Sequence, residues 1–128
     1  MDADKEEKLV AIAPYLFRYP DWDNEMKSLM GYGFCCGDGW YNILEALIRG
    51  IAALDTKKEV KVFQVKEKFG TLRFYLDDRH IGEIEDLISK AEAKSGVTCE
   101  VCGGKSTVKN KNGWYRSICD SCEEDDGK

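Results

Sequence analysis

The sequence lacks the motifs by which many enzymes are recognised. It contains no glycine-rich phosphate-binding loop, no G-x-S-x-G nucleophile elbow and no H-E-x-x-H motif. No motif provides its only histidine, His80, with a nucleophile or an acid partner, so we interpret His80 as a turn residue before a helix. These absences favour a protein that is not an enzyme and has no small-molecule substrate.

Long apolar runs are also absent. No segment is long and apolar enough to span a bilayer. The charged residues 1–8 do not resemble the start of a secretory signal. We therefore expect a cytoplasmic protein without a membrane partner. In that reducing compartment, the six cysteines of the chain are more often metal ligands or redox groups than disulfides.

Negative charge predominates, but it is unevenly distributed. The 128 residues carry a formal net charge of −5. Residues 57–76 nevertheless carry six cations against two carboxylates, and residues 99–122 carry four against two. A globally acidic chain is not an obvious nucleic-acid binder. The basic segments keep nucleic-acid binding open, beside the simpler interpretation that these charges solvate exposed faces.

The spacing of apolar residues predicts four helices, over residues 4–17, 23–30, 39–54 and 81–94. The third is the strongest, because its apolar residues repeat every three or four positions, and Asp38 is expected to cap its N-terminus. Asp4 is expected to cap the first helix, whose second half Pro14 is expected to disturb.

The pattern changes to that of strands over residues 60–76. Val60–Lys66 and Thr71–Leu76 are predicted to form a β-hairpin, with a turn at Glu67–Gly70. The sequence thus predicts an α+β fold, with helices packed on a β-hairpin in residues 1–96. A zinc-ribbon-like module over residues 97–122 and a disordered acidic tail over residues 123–128 are expected to follow.

Two matched cysteine pairs carry the strongest chemical signal. Cys99, Cys102, Cys119 and Cys122 form a C-x2-C-x16-C-x2-C pattern. Two residues between cysteines allow a tight turn to direct both sulfurs at one point, and this spacing is typical of four-cysteine zinc sites. The alternative is a redox dithiol, but that chemistry needs one C-x-x-C at a strand–helix junction rather than two matched pairs.

The residues between the cysteine pairs fit a zinc ribbon. Asn112-Gly113 is a strong signal for a short turn, and it joins Thr107–Lys111 to Trp114–Ile118 as a predicted hairpin. This hairpin returns the second cysteine pair to the first. Four cysteine ligands leave no open position, so we expect one structural Zn²⁺ that folds a segment too small to fold alone.

The adjacent cysteines Cys35 and Cys36 do not fit this pattern. A second metal site and a reactive thiol are the functional interpretations. We favour the interpretation that both are small hydrophobic residues before the helix that begins near Trp40.

The predicted β-hairpin also offers a candidate contact face. Residues at alternate positions from Leu72 should turn inward, so Arg73 and Tyr75 should face outward. The predicted partner-binding residues are Lys66, Lys68, Arg73 and Tyr75. Tyr and Arg are frequent at interface hot spots, whereas cations mixed with aromatic residues are also found where single strands of nucleic acid bind. The alternative is that a helix covers this face and Tyr75 belongs to the core.

Three segments together resemble small uncharacterised proteins encoded by bacteriophages and prophages. They are Cys36-Gly37-Asp38-Gly39-Trp40, the Lys66–Tyr75 segment, and the two cysteine pairs with Gly113-Trp114 between them. The resemblance spans roughly residues 36–122 and implies phage origin and metal binding. It implies no mechanism, because that family has no assigned activity. We therefore expect a zinc-stabilised module that binds another protein, one form being an inhibitor of a host defence system. The alternative is a small nucleic-acid-binding accessory protein.

Overall fold

The computed structural model defines residues 1–17, 30, 33–77 and 82–126. Its helices are α1 (Ala3–Ile12), α2 (Tyr41–Leu54), α3 (Glu83–Ser95) and α4 (Asp120–Asp126). Its strands are β1 (Phe34–Cys35), β2 (Val62–Lys68), β3 (Thr71–Leu76), β4 (Thr107–Lys111) and β5 (Trp114–Ile118). This mixture confirms the predicted α+β class. Residues 23–29 of the second predicted helix and His80 lie outside the described residues, among which no helix could cross a membrane.

A hydrophobic core lies between the helices and a three-stranded sheet. The strand order is β1-β2-β3, with β1 parallel to β2 and β2 antiparallel to β3. Helix α3 packs on β3 and on α2, and α1 packs on α2. The largest fully buried side chains include Leu9, Leu16, Trp40, Leu44, Ile48, Ile51, Val62, Val65 and Leu72. Leu72 and Phe74 point into this core, as their alternation predicts.

Both hairpins turn through two residues with left-handed backbones. Phe69 (φ 55°) and Gly70 (φ 88°) link β2 to β3, while Asn112 (φ 55°) and Gly113 (φ 83°) link β4 to β5. Positive φ at both central residues is the type I′ pattern, whose twist matches that of paired strands. The β2–β3 turn is shorter than predicted, because Glu67 stays in β2 and its carboxylate accepts the Gly70 N–H at 2.7 Å.

The starts of α1 and α2 differ from their predicted caps. Asp2 caps α1, and its carboxylate accepts the Asp4 N–H at 3.4 Å. The helix ends before Pro14, which opens a 3-10 turn because proline cannot donate the next helical hydrogen bond. Another 3-10 turn, Asp38–Trp40, precedes α2, so Asp38 does not cap that helix. Its carboxylate accepts the Asp2 N–H at 2.8 Å instead.

The prediction of disorder in the acidic tail is wrong as far as Asp126, where α4 ends. Lys109 on β4 binds the carboxylates of Asp120 at 2.5 Å and Glu123 at 2.6 Å. Both acidic residues lie in the first turn of α4, where negative charge also complements the helix dipole. The carboxylates that favoured disorder in the sequence therefore support a helix in the structure.

Strand β3 lies at an edge of the sheet, and α3 covers its outer N–H groups. The Ser95 hydroxyl oxygen accepts the Leu72 N–H at 2.8 Å, and the Glu92 carboxylate accepts the Phe74 N–H at 3.1 Å. The same hydroxyl donates to the Glu92 carbonyl at 2.5 Å. Because unpaired edge groups invite association with other strands, these bonds both fix α3 and protect the sheet.

We expect Ser95→Ala to lower the free energy of unfolding by about 1–3 kcal/mol, because it leaves the buried Leu72 N–H without an acceptor. Ser89→Ala is the matched control, since Ser89 is exposed on the same helix and its replacement should be neutral or slightly stabilising. Urea denaturation of both variants measures the difference. Equal stabilities would contradict the proposed role of Ser95.

Candidate metal centre

The four predicted ligand cysteines converge at one point. Their Sγ atoms all lie within 4.8 Å of one another. Cys99 leaves the bridge between Thr98 and Lys105, and Cys102 follows after one tight turn. Cys119 follows the end of β5, and Cys122 lies in the first turns of α4. The β4–β5 hairpin therefore brings the second pair back to the first, as the Asn112-Gly113 turn predicts.

The separation of the sulfurs fits a tetrahedral ion. Four thiolates at about 2.3 Å from a central Zn²⁺ lie about 3.8 Å apart. Cys102 and Cys119 are 3.7 Å apart at Sγ. The Sγ atoms of the remaining pairs lie at most 4.8 Å apart, which is about 1 Å beyond the spacing around a tetrahedral zinc ion.

Backbone N–H groups prepare one sulfur to carry negative charge. Burial alone raises the pKa of the Cys99 thiol, but three N–H groups directed at its sulfur outweigh this effect, and the pKa falls to about 6. The donors are Val101, Cys102 and Cys119. In contrast, the pKa of Cys122 is raised, chiefly because its thiol is hydrogen-bonded to Cys119. Four thiolates this close repel one another and need a bound cation.

The first knuckle, residues 99–104, is closed by its own backbone. The Gly103 N–H donates to the Cys99 carbonyl at 2.9 Å, and the Cys99 N–H donates to the Gly104 carbonyl at 2.7 Å. Gly103 has a φ of 80°, a conformation that side chains rarely allow. The Gly104 N–H lies 3.4 Å from the Cys102 sulfur and donates to it. Such donors stabilise thiolate ligands.

The first knuckle is held against the turn before α2. The Gly39 N–H donates to the Glu100 carbonyl at 2.7 Å, and the Gly37 N–H donates to the Glu100 carboxylate at 2.8 Å. A Cβ added at Gly39 would lie 2.1 Å from the Cys99 carbonyl oxygen. A Cβ added at Gly37 would lie 2.3 Å from the Glu100 carbonyl oxygen. Two glycines thus allow two backbones to touch.

Further hydrogen bonds extend this contact on both sides. The indole N–H of the fully buried Trp40 donates to the Thr98 carbonyl at 2.9 Å. The Glu100 N–H donates to the Ser117 carbonyl at 2.9 Å. The buried Ser117 hydroxyl donates to the Gly70 carbonyl at 2.5 Å. The candidate metal centre is therefore connected to α2, to β5 and to the β2–β3 turn.

Cys35 and Cys36 lie outside the four-cysteine cluster. Cys36 belongs to the core, and burial together with the nearby Glu100 charge raises the pKa of its thiol to about 12. A protonated buried thiol agrees with the favoured interpretation of Cys36 as a small hydrophobic residue. Cys35 is exposed at the end of β1, so that interpretation does not extend to it.

The four predicted partner-binding residues share the outer face of the β2–β3 hairpin. In register, Lys66 lies opposite Arg73 and Gln64 lies opposite Tyr75, and Lys68 is exposed beside the turn. Tyr75 is 39% exposed, so it is not a core residue. Arg73 is half-buried, and its Nε has no hydrogen-bond partner among the described residues. Whether this face contacts a partner stays a prediction.

The sequence did not identify Glu100, or the two glycines of the turn before α2, as residues that position the candidate metal centre. Gly37 and Gly39 stand out in the sequence as a G-x-G before Trp40. Two glycines at this spacing indicate that another segment of the backbone packs closely against the turn. The spacing does not identify that segment as the first knuckle. Glu100, between the first two cysteines, resembles a solvated spacer in the sequence. The predicted domain boundary at residue 96 stays a prediction, although these hydrogen bonds cross it.

We expect Gly39→Ala to destabilise the protein by about 3 kcal/mol, because neither the added methyl group nor the Cys99 carbonyl can move away cheaply. Gly50→Ala is the matched control. Its methyl group would meet only the end of the flexible Leu87 side chain, at 3.0 Å, and alanine favours the helix by about 1 kcal/mol. Urea denaturation of the metal-loaded variants tests this pair. Equal stability of the two variants would contradict the docking of the knuckle.

The chain matches no known protein family, no curated protein and no solved structure. The four-cysteine cluster and the surfaces around it are therefore the basis for assigning a function.

Proposed function

We propose that this chain is a non-enzymatic, zinc-stabilised module that binds another protein. The observation that carries the metal assignment is the convergence of four cysteine sulfurs within 4.8 Å. A tetrahedral set of four sulfurs selects zinc or an iron–sulfur centre. Zinc is favoured because paired C-x2-C knuckles joined by a hairpin are typical of ribbon sites for a single ion.

The ligand set supports a structural role for this ion. Four protein ligands fill a tetrahedral zinc, so neither water nor substrate has a coordination position. Binding energy then appears as folding energy. This chemistry supports a binding protein rather than an enzyme, and it directs attention to the surface that the metal orders.

The outer face of the β2–β3 hairpin supports the protein-binding proposal. Lys66, Lys68, Arg73 and Tyr75 share that face. An exposed Tyr beside an Arg has the composition of an interface hot spot. The resemblance to phage-encoded proteins adds the proposal that the partner is a host protein in the host cytoplasm, with inhibition of a defence system as one form of the function.

A nucleic-acid-binding accessory protein is the second candidate. Residues 105–118 contain four cations and no carboxylate, and Trp114 and Tyr115 on β5 are exposed. Bases stack on such rings beside a basic surface. Binding of this kind weakens steeply as salt increases, because it releases counterions from the phosphates. A titration of oligodeoxythymidine at two salt concentrations distinguishes the candidates.

We expect freshly purified, reduced protein to contain about one zinc ion per chain. Cys119→Ser removes one ligand and should abolish stoichiometric zinc, whereas Cys35→Ser, outside the cluster, should retain it. Elemental analysis measures zinc and iron in all three proteins. Absence of zinc from the wild-type protein, or iron in its place, would refute the metal assignment.

For the contact face, we expect Arg73→Ala and Tyr75→Ala to fold normally but to weaken binding of the protein partner. Tyr75 is already 39% exposed, so its truncation should cost far less than the about 3–5 kcal/mol typical of a buried aromatic residue such as Phe74. Thermal unfolding and co-purification of a stoichiometric partner from host lysate provide the measurements. Normal binding by both folded variants would place the contact elsewhere.

A further inference from the structure

The β2–β3 turn packs against the strands of the β4–β5 hairpin, and large apolar side chains around this contact remain in solvent. The rings of Phe69 and Tyr115 pack edge to face, with 6.1 Å between centroids. Phe69 is nevertheless 64% exposed, and Trp114 is 73% exposed. Lys68 Nζ lies 5.6 Å from the centroid of the Phe69 ring, and Lys111 lies opposite Trp114 in register. We call Lys68, Phe69, Lys111, Trp114 and Tyr115 the tip cluster.

The stability of the fold does not explain why position 69 is a phenylalanine. Phe69 has a φ of 55°, and a bulky side chain strains the backbone in this conformation. Its ring also remains largely outside the core, so little burial compensates the strain. Strained residues that are not glycine concentrate at functional sites. The same φ at Asn112 carries no such implication, because asparagine tolerates it in a type I′ turn.

The shape of the β4–β5 turn fits a cleft better than a flat surface. Trp114 and Tyr115 are consecutive on β5, so their side chains lie on opposite faces of the hairpin. Tyr115 contacts the neighbouring Phe69, and Trp114 lies on the other face. A Cβ added at Gly113 meets no atom within 4 Å, so the turn projects into open space. The projecting β4–β5 hairpin carries Trp114 on one face and Tyr115 on the other. A partner can bury both rings only if it contacts both faces, as the two sides of a cleft would.

The charges around the tip cluster indicate an acidic rim on the partner. Residues 105–118 contain four cations and no carboxylate, although the whole chain is acidic. Lys109 is bound to Asp120 and Glu123, whereas Lys68 and Lys111 are exposed beside the aromatic rings. Two exposed ammonium groups that flank apolar side chains complement carboxylates around an apolar recess.

The arrangement of the rings favours a protein over single-stranded nucleic acid. Successive bases need ring faces arranged along one groove. Here the Phe69 and Tyr115 planes are 88° apart, and Trp114 lies on the other side of the hairpin. No continuous stacking surface joins the three rings.

We propose that the tip cluster inserts into an apolar cleft of a partner protein, that Trp114 is its anchor, and that carboxylates on the rim of the cleft bind Lys68 and Lys111. Tryptophan is among the residues most enriched at interface hot spots. This inference rests on the proposed protein-binding function and adds to it the contact site and the chemistry of the partner.

The test uses the zinc-loaded full-length chain and a displayed library of folded domains whose concave face is randomised. We expect the selected domains to share an apolar recess bordered by Asp or Glu. Trp114→Ala should weaken binding of a selected domain by about thirty-fold or more. Leu54→Ala, which truncates an exposed apolar residue at the end of α2, should leave the affinity unchanged. Lys111→Glu should weaken binding, while the charge-matched Lys90→Glu on α3 should not. Unchanged zinc content and unfolding midpoint show that each variant folds.

The outcomes separate the two proposals. If Trp114→Ala binds the selected domains normally and Arg73→Ala or Tyr75→Ala does not, protein binding stands and the tip-cluster proposal is wrong. If no domain is enriched and salt-sensitive binding of oligodeoxythymidine is lost in Trp114→Ala, the occupant is nucleic acid and both proposals are wrong. If neither probe binds, the tip-cluster proposal is overturned.

Discussion

The rest of the structure depends on the close contact between two backbones, the turn before α2 and the first knuckle. The Gly39 N–H donates to the Glu100 carbonyl at 2.7 Å, and no side chain could be accommodated at Gly39. Helix α2 begins directly after this turn and supplies much of the core through Leu44, Ile48 and Ile51. The candidate metal centre and the hydrophobic core are therefore fixed to each other by main-chain atoms, which cannot adjust as side chains can.

A series of hydrogen bonds connects the first knuckle to the exposed β2–β3 turn. Glu100 bonds to the Ser117 backbone on β5, and the Ser117 hydroxyl bonds to the Gly70 carbonyl in the β2–β3 turn. Gly70 in turn donates its N–H to the Glu67 carboxylate. A metal ion that fixes the first knuckle would thus also fix the turn that contains Phe69 and the strand that contains Tyr115. The relative position of the two hairpin turns follows from the knuckle.

Local sequence signals predicted the elements well, and long-range contacts account for the differences. The Asn112-Gly113 turn and the spacing of the four cysteines encode the second hairpin and the ligand set, because both depend on residues close in sequence. The type I′ turn at Phe69 could not be predicted, since phenylalanine rarely adopts positive φ. Helix α4 depends on Lys109, a residue of β4. The role of Glu100 required knowing that residues 37–39 lie beside it.

The β4–β5 hairpin gives a physical reason why the proposed metal and the proposed contact surface would occur together. Among its two five-residue strands, only Ser117 and Ile118 are buried. Ordering ten backbone residues costs about 10–20 kcal/mol, whereas burying one isoleucine returns about 3 kcal/mol. A structural zinc ion, if bound as proposed, would supply about 10–16 kcal/mol and offset most of that cost. Folding energy from metal–sulfur bonds rather than from a core would free Trp114 from packing inward, which agrees with its exposure and with the proposed role in binding.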